Sequence, residues 1–266
     1  INIMLQAIYS TKFPEPVHGF VSVSKDDKIL ATTGRGIVTN AAPHVGKDFV
    51  LNLDLKDFFS SISATTVRKI FTGFPFYFDW ELATCIALVC TYEKKLPTGS
   101  PTSPVLSNFA CREMDKLLLQ LSTENKIIFT RYADDITFSS NVAFNDELIK
   151  NILIQIKKSG FTVNEKKFRI QNKFNKQVVT GIKVNSKINV ERSFVRNLRA
   201  VFHDIDVNGL ALASKKYFKS VSGKSEADLI SSLNGKIQYL GQVRGKDDPI
   251  YLRYLAKINV LEILSK

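Results

Sequence analysis

The alternation of apolar and polar positions divides the chain into strand-like and helix-like stretches. In KIIFTRYADDITFSS, residues 126–140, Ile127, Ile128, Phe129, Tyr132, Ile136 and Phe138 follow the apolar and aromatic pattern of strands. Asp134 and Asp135 interrupt that pattern at its centre. A second strand is predicted in FVLNLDLKDFFSSI, residues 49–62, where Val50, Leu51, Leu53 and Leu55 read as mostly buried and Asp54 sits near the end. KDFFSSISATTVRKIF then reads as a turn into a helix, with Asp57 available as a cap. In KKLPTGSPTSPVLSNFACREMDKLLLQL, residues 94–121, Pro97, Gly99, Pro101 and Pro104 make a stiff loop. Leu106, Phe109, Met114, Leu117, Leu118 and Leu121 continue it at helical spacing. Further on, SEADLISSLNGKIQYLG opens with a capping box at Ser225 and Asp228. Leu229, Leu233, Ile237 and Leu240 form one face of the helix it predicts.

The paired acids admit two readings. Asp is a good turn residue, so Asp134 and Asp135 fit the tip of a hairpin. Two carboxylates about 4 Å apart also repel by about 4 kcal/mol at an effective dielectric of about 20. Water relieves this at a solvated tip, whereas a half-buried pair needs a cation. Hard oxygen ligands suit Mg²⁺, which binds through a few carboxylates plus substrate phosphates. Asp54 supplies a third carboxylate, with Asp57 as its competitor. A buried acid that is simply paired would look the same at this level.

Composition brings in a phosphate polymer as partner. With 266 residues and 44% hydrophobic content, the chain can bury a sizeable core in one or two domains. Its formal net charge is +12 and is unevenly spread. Residues 150–187 hold ten Lys or Arg against one acid, and residues 191–266 hold thirteen against eight. A basic C-terminal half is the footprint expected of nucleic-acid binding, although basic surfaces also serve solubility. No apolar run approaches the length of a membrane span, and no signal-peptide pattern opens the sequence. Cys85, Cys90 and Cys111 lie in apolar surroundings without zinc-ligand spacing, and read as reduced core cysteines of a cytoplasmic protein. His18, His44 and His203 are too scattered to suggest a metal cluster. Ile rather than Met stands first, so the natural start is read as lying upstream.

The order of these segments resembles that of reverse transcriptases, the bacterial retron type in particular. FVLNLDLKDFF is similar to polymerase motif A, LPTGSPTSP to the motif B loop, YADD at 132–135 to motif C and GFTVNEKKF at 160–168 to motif D. NAAPH, residues 40–44, resembles the Asn-Ala-x-x-His signature of retron enzymes, and VTG, residues 179–181, their signature after motif D. The resemblance runs from about His18 to Gly181, and more loosely beyond. Thr98 stands where many relatives have Gln, and VSVSKDDKILAT looks like an insertion. The family also has an upstream segment whose basic residues grip the triphosphate. That segment either lies outside the present sequence or is lacking in a catalytically weakened chain.

The resemblance implies two-metal nucleotidyl transfer, with two Mg²⁺ ions held by Asp54 and Asp134, Asp135 as a weaker ligand and the Leu55 carbonyl on the second ion. It implies Phe59 as a steric gate against a ribose 2′-OH, with core packing beside Phe58 as the alternative. Lys167 would neutralise departing pyrophosphate, with Lys166 as the alternative and a solvated basic face as the plain reading of both. Tyr132, Thr98 and Gly99 belong to motifs that meet the substrate. Asn40, His44, Val179, Thr180 and Gly181 are assigned to RNA or primer positioning, against a simple loop and bend.

The architecture expected is an α+β right-hand polymerase fold. Residues 1–48 are partial fingers, and residues 49–190 a palm of antiparallel sheet and helices, with a short helical fingers insertion near 76–95. Residues 191–266 form a helical, RNA-binding thumb, in which Lys215, Lys216, Lys219 and Lys224 are either a phosphate-contacting stripe or a solvated face. The implied activity is RNA-directed DNA synthesis on a structured non-coding RNA that is template and primer, using dNTPs and giving branched RNA-linked DNA. An effector protein of phage defence is the implied protein partner. The alternatives are a non-catalytic RNA or RNA–DNA binding scaffold and a group II intron-like reverse transcriptase. The three acids argue against the first, and NAAPH and VTG against the second.

Overall fold

A computed structural model describes residues 1–12, 16–22, 34–218 and 225–264. Lys219, Lys224 and most of VSVSKDDKILAT lie outside the described residues. The chain divides into two units, one of residues 1–180 with 184–186, the other of residues 181–183 with 187–266. The division thus falls a few residues before the boundary expected at 190.

The first unit is organised by a four-stranded antiparallel sheet of strand order β2-β3-β1-β4, from β1 (Phe49–Asp54), β2 (Ile128–Tyr132), β3 (Asp135–Ser140) and β4 (Arg169–Asn172). Strand side chains alternate between faces, and here the two faces differ in kind. Leu51, Leu53, Phe129, Ile136 and Phe138 join one core with Leu106, Met114 and Leu118 of α5 (Ser103–Glu124) and Ile152 and Ile156 of α6 (Asp146–Lys158). The register puts Asn52, Asp54, Thr130, Tyr132, Asp135, Thr137 and Ser139 on the opposite, polar face. Phe129 and Phe138, cross-strand partners, stack at 4.9 Å.

Helices complete this unit. α1 (Asn2–Lys12) packs Leu5 and Tyr9 into the core, and α2 (Ile37–Ala41) runs into a short 3₁₀ turn, Ala42–His44. α3 (Ala64–Thr72) is capped by Ser63, whose hydroxyl accepts from the Thr66 amide. Asp57 is therefore no cap: it lies six residues earlier at φ +49, inside the turn that follows β1. α4 (Trp80–Cys90) occupies the expected insertion and is capped by Asp79. In α5, Leu106, Phe109, Met114 and Leu118 are buried, but Leu117 is 39% exposed, because in the later turns the buried side runs through Cys111, Asp115, Leu118 and Ser122. Cys90 and Cys111 are buried as expected, whereas Cys85 is exposed on α4, since the core-facing stripe there is Ala83, Ala87 and Cys90.

The second unit is helical: α7 (Arg192–Asn208), α8 (Leu210–Phe218), α9 (Glu226–Arg244) and α10 (Pro249–Leu264). Its capping box forms as the sequence predicts, the Ser225 hydroxyl accepting from the Asp228 amide while the Asp228 carboxylate accepts from the Ser225 amide. Leu229, Leu233, Ile237 and Leu240 are fully buried. Gly241 lets α9 and α10 approach, because a Cβ there would lie 2.5 Å from the Tyr251 ring. Of the expected lysine stripe, Lys216 is paired with Asp204 at 2.9 Å and Lys215 is exposed.

Candidate active site

The three acidic residues lie at one end of the sheet. Asp54, the last residue of β1, stands opposite Asp135, the first of β3. Between β2 and β3 the chain reverses through Ala133, at φ +57, and Asp134. The hairpin reading of Asp134 and Asp135 is the one observed, and the register of β1 on β3 sets Asp54 beside it. The Leu55 amide donates to the Asp134 carbonyl at 3.0 Å, which fixes β1 to the acidic turn. The Leu55 carbonyl accepts no hydrogen bond among the described residues.

Electrostatics here are strained by design of position. Burial, with Asp134 and Asp54 adding to it, pushes the Asp135 carboxyl up to about 6. Asp134 is raised as well, first by burial and also by Asp54. Lys167 relieves the group, its Nζ donating to Asp54 Oδ2 at 2.7 Å, and Arg169 also favours the Asp135 charge. That lysine reaches the site because the Asn164 amide donates to the Asp54 carbonyl at 2.8 Å, docking the short 3₁₀ turn Glu165–Lys167 beside β1. Lys166 makes no such contact; its amide caps onto the Asn164 side chain. The donor set is all oxygen, which suits a hard divalent cation. With Lys167 on Asp54, no three His, Cys, Asp or Glu side chains are gathered for chelation among the described residues.

A buried network holds the acidic turn from behind. Arg131 is fully buried and donates through Nη1 to the Ala133 carbonyl at 2.9 Å and to Asn108 Oδ1 at 3.2 Å. Burial works against its charge and the Asp115 carboxylate more than restores it, so the guanidinium is held above its ordinary pKa. Asn108 in turn donates to the Gly19 carbonyl at 2.9 Å. A Cβ on Gly19 would lie 2.6 Å from the Ala133 amide, so the 16–20 segment presses directly on the turn. The His18 amide donates to the Arg131 carbonyl at 2.8 Å, and the Arg131 amide donates to the Pro16 carbonyl at 3.2 Å. Sequence reasoning missed Arg131, Asp115, Asn108 and Gly19. The only available signal was an Arg inside an apolar strand, which is costly without a partner.

Phe59 is half-buried, 5.3 Å from Phe58 and 6.1 Å from Phe20 between ring centroids, and Phe20 lies 6.4 Å from Tyr132. The ring thus belongs to a chain of aromatics that reaches the strand before Asp134. Thr98 and Gly99 are exposed on the loop ahead of α5, with Gly99 at φ +89. Among the described residues no hydrogen bond or ion pair joins either of them to the carboxylates.

The remaining expected residues form a second cluster on the same polar face. His44, fully buried, bonds Ser139 Oγ through Nδ1 at 2.6 Å and Thr130 Oγ1 through Nε2 at 2.8 Å, bridging β3 and β2. Burial lowers its pKa to about 3, with His18 and Lys47 adding to the shift, so the ring is neutral. The Thr180 hydroxyl donates to the Ile37 carbonyl at 3.3 Å, bringing the NAAPH and VTG segments together from 143 residues apart. Gln171 ties them to the sheet, donating to Asn52 Oδ1 and to the Val178 carbonyl. Asn40 and Val179 are fully buried, and the Asn40 side-chain amide has no partner among the described residues. Thr180 and Gly181 form an accessible turn at φ +46 and +80.

A family model for reverse transcriptase (RNA-dependent DNA polymerase) matches residues 1–242. The chain belongs to the reverse transcriptase family. It is 33% identical over 218 residues to the Retron Mx65 reverse transcriptase of Myxococcus xanthus, covering 74% of this chain and 48% of that relative. It is 29% identical over 226 residues to the Retron Ec86 reverse transcriptase of Escherichia coli, covering 84% and 65%. This reverse transcriptase therefore spans less than two thirds of the length of either relative. Its fold is similar to that of telomerase from Candida albicans, with a TM-score of 0.52 at 13% identity over 100% of this chain and 56% of the other. The right-hand polymerase fold expected from the motifs is the one observed. No helix among the described residues is long and apolar enough to cross a membrane.

Proposed function

We propose that this reverse transcriptase is the RNA-directed DNA polymerase of a retron, copying a structured non-coding RNA into branched RNA-linked DNA. The observation that carries the reading is the juxtaposition of Asp54 with Asp135 across β1 and β3, with Asp134 in the intervening turn and Lys167 on Asp54. Asp54, Asp134 and Asp135, with the Leu55 carbonyl, would hold two Mg²⁺ ions. When bound, those ions supply an activated primer hydroxyl and charge neutralisation of the triphosphate. The raised Asp134 and Asp135 carboxyls fit this role, because a cation would offset both the burial and the neighbouring charge that raise them.

The other residues divide the remaining work. Lys167, displaced from Asp54, is free to neutralise departing pyrophosphate. Phe59, at the accessible end of its aromatic chain, excludes the 2′-OH of an incoming ribonucleotide, so that dNTPs are the substrates. Tyr132, Thr98 and Gly99 border the nucleotide. Asn40, His44 and Val179 act indirectly because they are buried: they shape the backbone that presents the Thr180–Gly181 turn to the RNA or primer. A cognate RNA, its DNA product and an effector protein are the partners this reading calls for, in the cytoplasm.

The deciding experiment is to purify the protein from its host and sequence the nucleic acid bound to it. A single RNA covalently joined at a 2′-OH to a DNA copy of itself is expected. RNA with no DNA attached, from a preparation that also fails to extend a primed template with Mg²⁺ and dNTPs, would leave the scaffold reading standing instead.

A further inference from the structure

One helix of the first unit is apolar on both of its sides. α4 turns Ala83, Ala87 and Cys90 into the core, and α3 packs against it. At about 100° per residue the opposite arc is Glu81, Leu82, Cys85, Leu88 and Val89, and all five are exposed. Leu88 is 62% exposed and Val89 76%. Trp80 and Tyr92, 62% and 70% exposed, extend the arc at its two ends. The Arg68 guanidinium lies 3.8 Å from the Trp80 ring centroid and holds that ring in place. A helix that is apolar all round belongs inside a protein. Single exposed leucines need no explanation, whereas a contiguous apolar patch marks a surface that meets a partner.

Charge narrows the partner. No Lys or Arg lies on the arc, so it offers nothing to phosphates. Asp79 and Glu81 stand at its N-terminal end, where Asp79 Oδ1 accepts from the Leu82 amide at 2.8 Å. At the C-terminal end the chain turns through residues 92–95, closed by backbone bonds of 2.9 and 3.0 Å between Tyr92 and Lys95, and sets Glu93, Lys94 and Lys95 there. Glu81, Lys94 and Lys95 are exposed and form no ion pair among the described residues. The stripe is thus acidic at one end, net basic at the other and apolar between. We infer that its partner is a second copy of the same stripe, packed antiparallel about a two-fold axis. Such a contact is isologous: Asp79 and Glu81 of each copy meet Lys94 and Lys95 of the other, and Leu82, Leu88 and Val89 fill the seam. Parallel pairing would set acids against acids and lysines against lysines. Trp80, Leu82, Leu88, Val89 and Tyr92 leave on the order of 600 Å² exposed per copy, taking about 150–250 Å² for a whole aromatic side chain and less for an aliphatic one. Two copies would bury about 1,200 Å², the small end of specific interfaces, so the dimer depends on concentration. This self-association goes beyond the polymerase reading and does not rest on it.

The test is sedimentation equilibrium of the nuclease-treated protein, free of nucleic acid, from about 1 to about 100 µM. The average mass should rise from one chain toward two. At the upper concentrations a short bismaleimide should join Cys85 to the second copy's Cys85, which lies near the two-fold axis, since Cys90 and Cys111 are buried. C85S should abolish that product. L88E changes an exposed side chain, so it should melt like the wild type and hold the protein monomeric; V89E decides if L88E melts lower. K94E with K95E should weaken association, and adding E81K should recover part of it, which reads the antiparallel order. A protein that stays monomeric at the highest concentration overturns the proposal, leaves the face to a different partner and leaves the polymerase reading intact. A dimer that persists in both L88E and V89E overturns it too, as an interface elsewhere on the chain. A dimer that nuclease treatment removes overturns it as two copies bridged by nucleic acid.

Discussion

Arg131 and Asp115 form a two-pronged ion pair closed off from solvent, Nε to Oδ1 and Nη2 to Oδ2, each at 2.7 Å. The pair joins α5, which follows the motif B loop, to the strand that ends in the Asp134–Asp135 turn. Arg131 uses its remaining Nη1 donors on Asn108 and on Ala133, the residue that starts the reversal. One charged side chain thereby ties the helix that follows the motif B loop to the YADD turn.

Breaking this pair from either side should be costly in different ways. Asp115→Asn leaves the Arg131 charge buried and uncompensated, and should destabilise the protein by about 3–5 kcal/mol in urea melts. Arg131→Lys keeps the charge but not the fork, so a milder loss is expected. Because the Ala133 carbonyl loses its donor, that variant should also need more divalent metal for half-maximal incorporation. A folded Arg131→Lys protein with unchanged metal dependence would confine Arg131 to packing.

Asp134→Asn removes a charge while keeping size. Nucleotide incorporation should fall by orders of magnitude while the fold survives. In chelator the variant should melt no lower than the wild type, because the carboxyl it replaces is crowded by Asp54 and Asp135. Undiminished polymerisation by this variant ends the metal-site assignment.

For Phe59 the ring's half-burial sets the balance. Phe59→Ala should cost less than the about 3–5 kcal/mol of a fully buried Phe, because its ring is only half-buried beside Phe58 and Phe20. It should admit ribonucleotides with a smaller loss of deoxyribonucleotide use. Paired incorporation assays and thermal melts separate a gate from a core residue: a large melting loss with unchanged sugar selection means core.

His44 predicts an acid weakness. Its folded pKa, about 3, lies below the ordinary value of 6.5, so below pH 6.5 the unfolded chain takes up a proton that native His44 refuses. Stability is complete above that pH and declines as pH falls toward about 3, at up to about 1.4 kcal/mol per pH unit. His44→Gln, which cannot titrate, should be less stable at pH 7 yet lose less between pH 6.5 and 4. His18, lowered to about 4 by burial and by Arg35, leaves a residual slope in that variant. Urea melts across this range check the crossover of slopes.

Much of the site is local and therefore legible in the sequence. Asp54 at the end of an apolar run, and Asp134 with Asp135 inside a strand pattern, are conflicts between burial and charge that periodicity exposes without coordinates. The capping box at Ser225 and the stripe of α9 are likewise written in short spacings. What periodicity does not carry is which distant side chains answer those conflicts. Lys167 meets Asp54 from 113 residues away, Asp115 meets Arg131 across α5 and β2, and His44 crosses about 90 residues to Thr130 and Ser139. Asp57 could be read as a cap because capping chemistry suits it; the chain instead turns there at positive φ and leaves the cap to Ser63. The exposure of Cys85 was decided in the same way, by the direction in which α4 faces its core. The sequence alone determined the motifs, their order and the fold they imply, since these rest on neighbours a few residues apart. Tertiary structure alone decided the partners of each buried charge, because long-range pairing depends on how the elements pack and leaves no period in the chain.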